Sequence, residues 1–220
     1  MMRGKLKRFE ENERRDNILQ PGKNSYENIK GKWQTDYFKN QNSIVLELAC
    51  GRGEYTIGMA RLFPNKNFIG VDLKGDRLWK GSGIAIEEKL SHVAFLRAEI
   101  LHLESYLKLN EVDEIWITFP DPRPRVRDEK RRLTNPRFLN IYKNVLSTDG
   151  WVKFKTDNTD LFTYTLEVLK ERKDIRNMEY TYDLYHSELK PDCFDIRTHY
   201  EHKFNDQGHD IKYLKFRFAE

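Results

Sequence analysis

The stretch IVLELACGRGEYT at residues 44–56 decides the fold of this chain. Ile44–Ala49 is a short apolar run that predicts a buried strand, and two glycines then interrupt the pattern. A helical stretch follows at Glu54–Phe63. A buried strand that turns through glycines into a helix begins a βαβ unit, which indicates a mostly parallel sheet.

The same alternation of strands and helices continues toward both ends of the domain. Further strands are predicted at 68–73, 93–98, 114–119 and 151–156, and further helices at 77–90, 101–109, 137–146 and 160–172. The last two strand-like segments, 178–185 and 211–218, have only one turn of possible helix between them, so we expect them to pair antiparallel. The chain is therefore α/β, with helices on both faces of the sheet.

Length and composition restrict the class of protein further. With 220 residues and a mass of 26.4 kDa, one domain is expected. We predict a basic, partly disordered arm over residues 1–42 and a single domain over 43–220. Two cysteines exclude a disulfide framework, and no apolar run reaches the ~20 residues of a membrane helix. A cytoplasmic protein without membrane association is therefore expected.

The net charge of +4 conceals two separate basic blocks. Residues 1–33 contain nine basic and five acidic residues, and residues 123–137 contain seven basic and two acidic ones. The rest of the chain is net acidic. Such segregation favours a surface that binds a polyanion, although a run of charge is more often only a solvated face.

Acidic residues follow four successive strands of the predicted sheet. Glu47 lies near the end of the first strand, and Asp72, Glu99 and Asp121 follow the next three. The carboxyl ends of parallel strands meet at one edge, where open sheets bind their ligands. Four carboxylates there favour a cationic, hydroxyl-rich ligand, and S-adenosylmethionine offers an ammonium, a sulfonium and a ribose diol.

Two glycines in the first turn fit a ligand that approaches the backbone closely. Gly51 and Gly53 remove the side chains that would clash. The dinucleotide fingerprint requires a third glycine where Thr56 stands, so a nicotinamide-dependent oxidoreductase is a distant alternative. Asp72, nineteen residues after Gly53, is suitably placed to hold a ribose diol.

The segment FPDPRPRVRDEKRRL at residues 119–133 combines a carboxylate with a cluster of cations. Prolines at alternate positions stiffen the chain around Asp121. Guanidinium groups follow directly, and arginine binds phosphates as well as the O6 and N7 edge of guanine. The pattern indicates a small-molecule site that opens onto a phosphate-binding surface.

These motifs together resemble the tRNA (guanine-N7)-methyltransferase family. The resemblance covers most of the chain, and the Pro-Asp-Pro-x-Pro segment followed by basic residues is its most specific part. The matching motifs are Glu47-x-x-x-Gly51-x-Gly53, Gly70-Val71-Asp72, Phe119-Pro120-Asp121-Pro122-x-Pro124-Arg125, Lys155-Thr156-Asp157 and Thr198-x-Tyr200-Glu201. The resemblance implies a Rossmann-like class I methyltransferase fold with a seven-stranded sheet and an antiparallel C-terminal strand. It also implies methyl transfer from S-adenosylmethionine to N7 of a guanine in the variable loop of tRNA, forming 7-methylguanosine.

The resemblance also implies roles for individual residues. Asp121 is the expected catalytic residue and also a cofactor contact. The other expected cofactor contacts are Glu47, Gly51, Gly53, Asp72 and Glu99. The expected substrate contacts are Arg125, Asp157, Thr198, His199, Tyr200 and Glu201. The expected RNA contacts in the basic block are Arg127, Lys130, Arg131 and Arg132.

The chain departs from the family pattern at three positions. Ala49 replaces a usual glycine, Arg123 stands where a tryptophan is typical, and Arg125 stands where a lysine is typical. Ala49 is the one argument for the alternative function, a non-catalytic RNA-binding protein on a degenerate methyltransferase fold.

Simpler interpretations compete at several other positions. Thr198 and Glu201 also match a helix capping box. Tyr180 and Tyr182 are interpreted as core and sheet surface. No metal is expected, because His199 and His202 lack a third ligand nearby, and the chain is expected to be a monomer or a homodimer.

Overall fold

The computed structural model describes residues 2–198, 201, 208 and 210–219, with side chains described from residue 4 onward. This part of the chain contains eight strands in one sheet. The strands are β1 (Ile18–Leu19), β2 (Ile44–Leu48), β3 (Asn67–Val71), β4 (Val93–Leu96), β5 (Val112–Thr118), β6 (Leu146–Thr156), β7 (Ile175–Thr181) and β8 (Lys212–Phe218).

The sheet has the order β1-β4-β3-β2-β5-β6-β8-β7. Strands β1 to β6 pair parallel, and β8 lies antiparallel between β6 and β7. Leu48 at the end of β2 lies level with Val71 of β3 and Ile117 of β5. The loops that follow these strands therefore meet at one edge, as the alternation of strands and helices predicts.

Six α-helices connect the strands in the described residues. They are α1 (Met2–Arg14), α2 (Asn24–Glu27), α3 (Glu54–Leu62), α4 (Gly75–Glu87), α5 (Pro136–Val145) and α6 (Thr159–Glu171). A π-helical turn spans Trp33–Phe38, and short 3-10 helices span Ile100–Ser105, Val126–Arg131 and Lys190–Cys193. None of the helices in the described part of the chain combines the length and apolar character needed to cross a membrane.

Alternating side chains of the strands form a core on each face of the sheet. On β2, Leu46 and Leu48 pack on the face covered by α5 and α6, whereas Val45 packs on the face covered by α3 and α4. Continuous burial of β2, β3 and β4 explains their unbroken apolar runs. The prediction of helices on both faces is confirmed.

Two predicted elements differ in detail from the structure. The helix expected over residues 101–109 is a 3-10 helix, Ile100–Ser105, and His102 within it has non-helical angles. Strand β6 begins at Leu146, earlier than expected, and its pairing with β5 shifts register between Val112 and Glu114. The non-helical angles of His102 divide the segment into short 3-10 turns, so an apolar period alone overestimated this helix.

The first forty-two residues, expected to form a partly disordered arm, carry ordered elements in the structure. Strand β1 adds an eighth strand to the expected seven by pairing parallel with β4. Ile18, Leu19 and Trp33 are fully buried, and the last two belong to the core of the sheet. Lys23 Nζ closes the end of α1 by donating to carbonyl oxygens of residues 12, 15 and 18 at 2.6–2.8 Å.

The ordered elements in this segment were hard to predict because its apolar anchors are few and irregularly spaced. Trp33 illustrates how one residue fixes a polar segment: its ring is buried in the core and its Nε1 donates to the Tyr106 carbonyl at 2.9 Å. Residues 19–38 therefore pack on one face of the sheet as part of its hydrophobic core, and Ile18 packs in the core on the other face.

Replacing Trp33 tests whether this segment contributes to the stability of the domain. Trp33→Ala should lower the free energy of unfolding by about 3–5 kcal/mol, because a fully buried tryptophan leaves a cavity and an unsatisfied carbonyl. Chemical denaturation measures the change. Leu6→Ala is the control, since Leu6 is 62% exposed and should change stability by less than about 0.5 kcal/mol. Equal stabilities of the two variants would contradict the assignment of Trp33 to the core.

Candidate cofactor and substrate site

The turn between β2 and α3 has the backbone that its glycines predict. Gly51 and Gly53 have φ of +57° and +71°, the left-handed region that glycine adopts readily. A Cβ on Gly53 would lie 2.5 Å from Phe95 Cε1, so no larger residue fits there. A Cβ on Gly51 would meet nothing within 4 Å, which leaves open space beside the turn.

Ala49, the departure from the family pattern, also lies in the left-handed region with a φ of +56°. An alanine in this conformation costs about 1 kcal/mol relative to glycine. The turn nevertheless keeps its hydrogen bonds, because Cys50 N donates to Val71 O at 3.0 Å and Gly53 N donates to Cys50 O at 2.8 Å. Ala49 therefore strains the turn without opening it.

Glu47 lies inside the protein and holds the turn from beneath. Its side chain is 2% exposed, and one carboxylate oxygen accepts from both the backbone N and the hydroxyl of Thr56 at the start of α3. The other oxygen accepts from Thr118 Oγ1 at 2.7 Å. Burial raises the pKa of the Glu47 carboxyl to about 7, against the opposing effect of these hydrogen bonds. Glu47 thus joins β2, α3 and β5 at the point where the predicted ligand would lie.

Asp72 connects the glycine turn to the end of β3. Its Oδ2 accepts from Gly51 N at 3.0 Å, and its Oδ1 accepts from Lys74 N at 2.8 Å. The side chain is buried, with 8% of the residue exposed. Carboxylate oxygens have further lone pairs beyond these two bonds, so Asp72 retains capacity to accept from a ligand's hydroxyls.

Glu99 and Asp121 lie at the same edge but face solvent. Glu99 follows β4, and its carboxylate is 3.9 Å from His102 Nε2. Asp121 follows β5 with its side chain 60% exposed, and its carboxylate contacts Arg123 through Nε at 3.2 Å and through the backbone N at 3.2 Å. The two solvent-facing carboxylates lie on either side of the buried pair, Glu47 and Asp72.

A chain of contacts joins the Asp121 loop to the basic block. Arg123 has a φ of +47°, and its carbonyl accepts from Arg132 Nε at 3.3 Å. The Arg132 guanidinium lies over the Tyr164 ring of α6, 4.3 Å from its centre. The loop is therefore fixed at both ends: Asp121 contacts Arg123, and Arg132 packs on Tyr164.

Most cations of the basic block are exposed. Arg125, Arg127, Lys130 and Arg131 lie at the surface on or beside the 3-10 helix Val126–Arg131, whereas Arg132 is half-buried. Arg131 contacts Asp128 at 3.3 Å. This arrangement presents positive charge next to the edge of the sheet where Asp121 lies.

The expected substrate contacts Thr198 and Glu201 form a buried capping box. Thr198 Oγ1 accepts from Glu201 N at 3.2 Å, and the Glu201 carboxylate accepts from Thr198 N at 3.3 Å. Glu201 is fully buried, its Oε1 lies 2.6 Å from Lys155 Nζ, and the hydroxyl of Tyr185 donates to it. In this geometry Glu201 contacts protein groups on every side, so it positions the segment that carries Thr198 instead of facing a substrate directly.

The other expected substrate contacts are differently placed. Asp157 is half-buried directly after β6, and its carbonyl accepts from Lys212 Nζ at 3.0 Å. Because β5 and β6 are paired, Asp157 lies at the same edge as Asp121. His199 and Tyr200 lie outside the described residues. In residues 2–198, 201, 208 and 210–219, no three His, Cys, Asp or Glu side chains are close enough together to hold a metal ion.

The sequence pattern did not assign roles to Thr56, Thr118 or Lys155. In the sequence, Thr56 is notable only because it stands where the dinucleotide fingerprint requires a glycine. In the structure it is the main hydrogen-bond partner of Glu47. Lys155, 1% exposed, forms the buried ion pair with Glu201. Two lysines, Lys153 and Lys155, within the predicted strand 151–156 were the available signal for buried partners, since such charges are almost never buried unless paired.

Solved structures with the same architecture are methyltransferases. A 16S rRNA methyltransferase, KamB, superimposes with a TM-score of 0.62 over 91% of this chain and 96% of its own, at 13% identity. An antibiotic-related methyltransferase matches with a TM-score of 0.61 over 84% of this chain and 92% of its own, at 18% identity. The fold, with its glycine turn after the central strand, is that of a class I methyltransferase.

Sequence relatives place the chain more narrowly within this class. A family model described as a putative methyltransferase matches residues 41–214. The tRNA (guanine-N(7)-)-methyltransferase of Cytophaga hutchinsonii is 49% identical over 99% of both chains. The enzyme of the same name from Listeria innocua is 36% identical over 87% of both chains. The chain belongs to the tRNA (guanine-N7)-methyltransferase family.

The burial of Glu47 predicts a pH-dependent stability. Because the folded-state pKa of Glu47 is raised from 4.5 to about 7, its contribution to stability is fully present below pH 4.5 and is lost as the pH rises through 7. Glu47→Gln keeps the shape without the charge: its amide oxygen can accept from Thr56, and its amide nitrogen can donate to the Thr118 hydroxyl. Wild type should therefore lose up to about 3 kcal/mol relative to this variant across that range.

Chemical denaturation of both proteins at several pH values measures this difference. Glu179→Gln, on strand β7 at the edge of the sheet, controls for the loss of a carboxylate as such. Stability curves of wild type and Glu47→Gln that run parallel from pH 4.5 to above 7 would contradict the burial argument.

Proposed function

We propose that this protein transfers a methyl group from S-adenosylmethionine to N7 of a guanine in the variable loop of tRNA, forming 7-methylguanosine. The observation that carries the proposal is the junction of two unlike surfaces at the end of β5. The carboxylates of Asp72 and Asp121 lie at the sheet edge, and the exposed cations of residues 125–132 begin four residues after Asp121. Membership in the family supports the same reaction.

The residues around the glycine turn fit the proposed cofactor. The open space beside Gly51 admits a ligand against the backbone, and the spare acceptor capacity of Asp72 suits the ribose diol. Glu99, exposed beyond β4, is proposed to contact the cofactor at the same edge. Glu47 supports the turn from below, so we assign it a positioning role. When bound, S-adenosylmethionine supplies an electrophilic methyl group on a sulfonium.

The chemistry places few demands on the protein beyond orientation. Guanine N7 carries an exposed lone pair at neutral pH, so no base must remove a proton before attack. Holding the two reactants in line supplies most of the acceleration. Asp121 is proposed to orient the guanine edge and to stabilise the positive charge that develops on the purine. Asp157, at the neighbouring strand end, is proposed to accept from the N1–H or the amino group of guanine.

The RNA is proposed to approach over the basic block. Arg125, Arg127, Lys130 and Arg131 are exposed and suit phosphate contacts, and Arg132 orients the loop through Tyr164. Lys155 and Glu201 hold Thr198 near this face from within. Binding of tRNA thus uses one surface and binding of the cofactor uses the adjoining edge.

Labelled methyl transfer to unmodified tRNA tests the proposed reaction. The purified protein is incubated with radiolabelled S-adenosylmethionine and a tRNA transcript, and the digested product is analysed for 7-methylguanosine. A transcript in which the variable-loop guanine is replaced by adenine should accept no label. Label in any other nucleoside, or label retained in the adenine transcript, would overturn the assignment of N7 of that guanine.

Replacing Asp121 should lower turnover without abolishing cofactor binding. We expect Asp121→Ala to reduce kcat by roughly 10²-fold, the scale observed when one electrostatic group at a reacting centre is removed. Titration calorimetry should show affinity for S-adenosylmethionine within a few-fold of wild type. Asp149→Ala is the matched control, because Asp149 is 79% exposed and contacts Arg176 and Arg217 away from the site. A kcat unchanged by Asp121→Ala would exclude the proposed role.

Neutralising the basic block should reduce the salt dependence of tRNA binding. The triple variant Arg127→Ala, Arg131→Ala, Arg132→Ala should weaken binding and reduce the log–log salt slope by up to roughly two to three units, because each phosphate contact releases counterions. Lys170→Ala with Lys173→Ala, at the far end of α6, provides the control. Binding measured by fluorescence anisotropy over a salt series gives the slope. A slope equal to that of wild type would show that the block is merely solvated.

A further inference from the structure

Two exposed tyrosines lie at the carboxyl end of strand β7, at the same edge of the sheet as the candidate site. Strand β7 runs parallel to β6, because both are antiparallel to β8. Thr181 of β7 lies level with Tyr213 of β8, which lies level with Lys155 of β6. Tyr180 and Tyr182 flank Thr181, so their rings stand at the level where Asp157 follows β6.

The exposure of these two rings is unusual for side chains of their size. Tyr180 is 43% exposed and Tyr182 is 45% exposed, so both belong to the sheet surface and not to the core, the two positions that the sequence left open. Their ring centres are 6.3 Å apart at an angle of 81°. The Tyr182 ring also packs edge-on against Phe162 of α6, with centres 5.0 Å apart, which fixes its orientation. The pair is therefore held through the packing of Tyr182 on α6, and both rings remain open to solvent.

The surroundings of the pair connect it to the basic block. Phe162 and Tyr164 both lie in the first half of α6, and Tyr164 carries the Arg132 guanidinium 4.3 Å from its ring. Helix α6 thus stands between the tyrosine pair and the cations of residues 125–132. The two acids that flank the pair in sequence both have partners. Glu179 lies 3.4 Å from Lys215 Nζ, and Asp183 lies 2.7 Å from His186 Nδ1.

The distance from the tyrosines to the proposed reaction centre suits a polynucleotide. Three strand-to-strand steps of ~4.8 Å separate β7 from β5, which places the pair roughly 14 Å from the end of β5. A few nucleotides of extended RNA span this distance. Proteins that bind unpaired RNA hold its bases on exposed aromatic rings, flanked by cations that bind the backbone.

We propose that Tyr180 and Tyr182 form a stacking surface for an unpaired nucleotide of the RNA substrate, a few nucleotides away from the guanine that is methylated. This inference rests on the proposed function, since it takes RNA as the substrate. The rings contribute affinity by stacking on the base, whereas the arginines of the basic block contribute it through phosphate charge. Removing the rings should therefore weaken tRNA binding without changing its salt dependence, whereas removing the cations should reduce that salt dependence.

The double variant Tyr180→Ala, Tyr182→Ala tests the stacking surface. It should raise KM for tRNA roughly ten-fold, because stacking of a base on an aromatic ring contributes about 1–3 kcal/mol. The kcat and the affinity for S-adenosylmethionine should stay as in wild type. The salt slope of tRNA binding should also be unchanged, because no cation is removed.

Three further proteins complete the test. Tyr180→Phe with Tyr182→Phe should behave as wild type, because stacking needs the ring and not the hydroxyl. Tyr180→Leu with Tyr182→Leu keeps apolar packing on Phe162 but lacks the rings, so it should raise KM even if the alanine variant folds poorly. Leu109→Ala, a change at a 69% exposed apolar side chain near the opposite edge of the sheet, should have no effect.

Two results would overturn the proposed stacking surface. A KM unchanged in both the alanine and leucine variants overturns the proposal. So does a change of oligomeric state in sedimentation without a change in KM, which would make the tyrosines a contact between copies of the chain. Anisotropy with unmodified tRNA measures binding without catalysis. It therefore separates failure of the stacking surface from failure of the proposed methyl transfer, which the wild-type assay reports.

Discussion

The buried carboxylate of Glu47 is the contact on which the geometry of the site depends. It lies near the end of the central strand β2 and accepts hydrogen bonds from Thr56 on α3 and from Thr118 on β5. Three elements that surround the glycine turn are thereby fixed to one another. Burying the acid without a cationic partner is unfavourable, and the raised pKa of Glu47, about 7, is the result. The fold tolerates this cost because the hydrogen bonds fix the position of the turn.

A second buried contact, the ion pair between Lys155 and Glu201, fixes the segment that carries Thr198. Lys155 and Glu201 are both fully enclosed and lie 2.6 Å apart. Breaking such a pair by removing one partner leaves an uncompensated charge, which is strongly destabilising. The pair therefore ties the segment that follows β7 to the central part of the sheet. Of the residues that the family pattern associates with substrate, Thr198 and Glu201 are held by this pair and by the capping box.

The sequence predicted the architecture well because its signals are local. Apolar runs, a glycine turn and a carboxylate after each strand suffice to indicate a parallel sheet and the edge at which Asp72 and Asp121 lie. What could not be predicted depends on contacts between distant residues. Trp33 is buried in the core although the segment around it is polar, and Thr56 donates a hydrogen bond to Glu47 across the glycine turn. Neither contact produces a periodic pattern in the sequence. Burial of Glu201 likewise depends on Lys155, 46 residues earlier in the chain.

At Ala49 and Arg123 the chain differs from the family pattern, yet the geometry of the site is retained. Ala49 keeps the left-handed backbone of the usual glycine, so the strain stays local and the turn's hydrogen bonds are retained. Arg123 replaces an aromatic ring with a cation that contacts Asp121 at 3.2 Å. This contact is solvent-exposed, so it contributes little to stability and is easily exchanged for a contact with a ligand. Position 123 carries no ring, so the stacking proposed above for the RNA substrate rests on the exposed Tyr180 and Tyr182 at the end of β7.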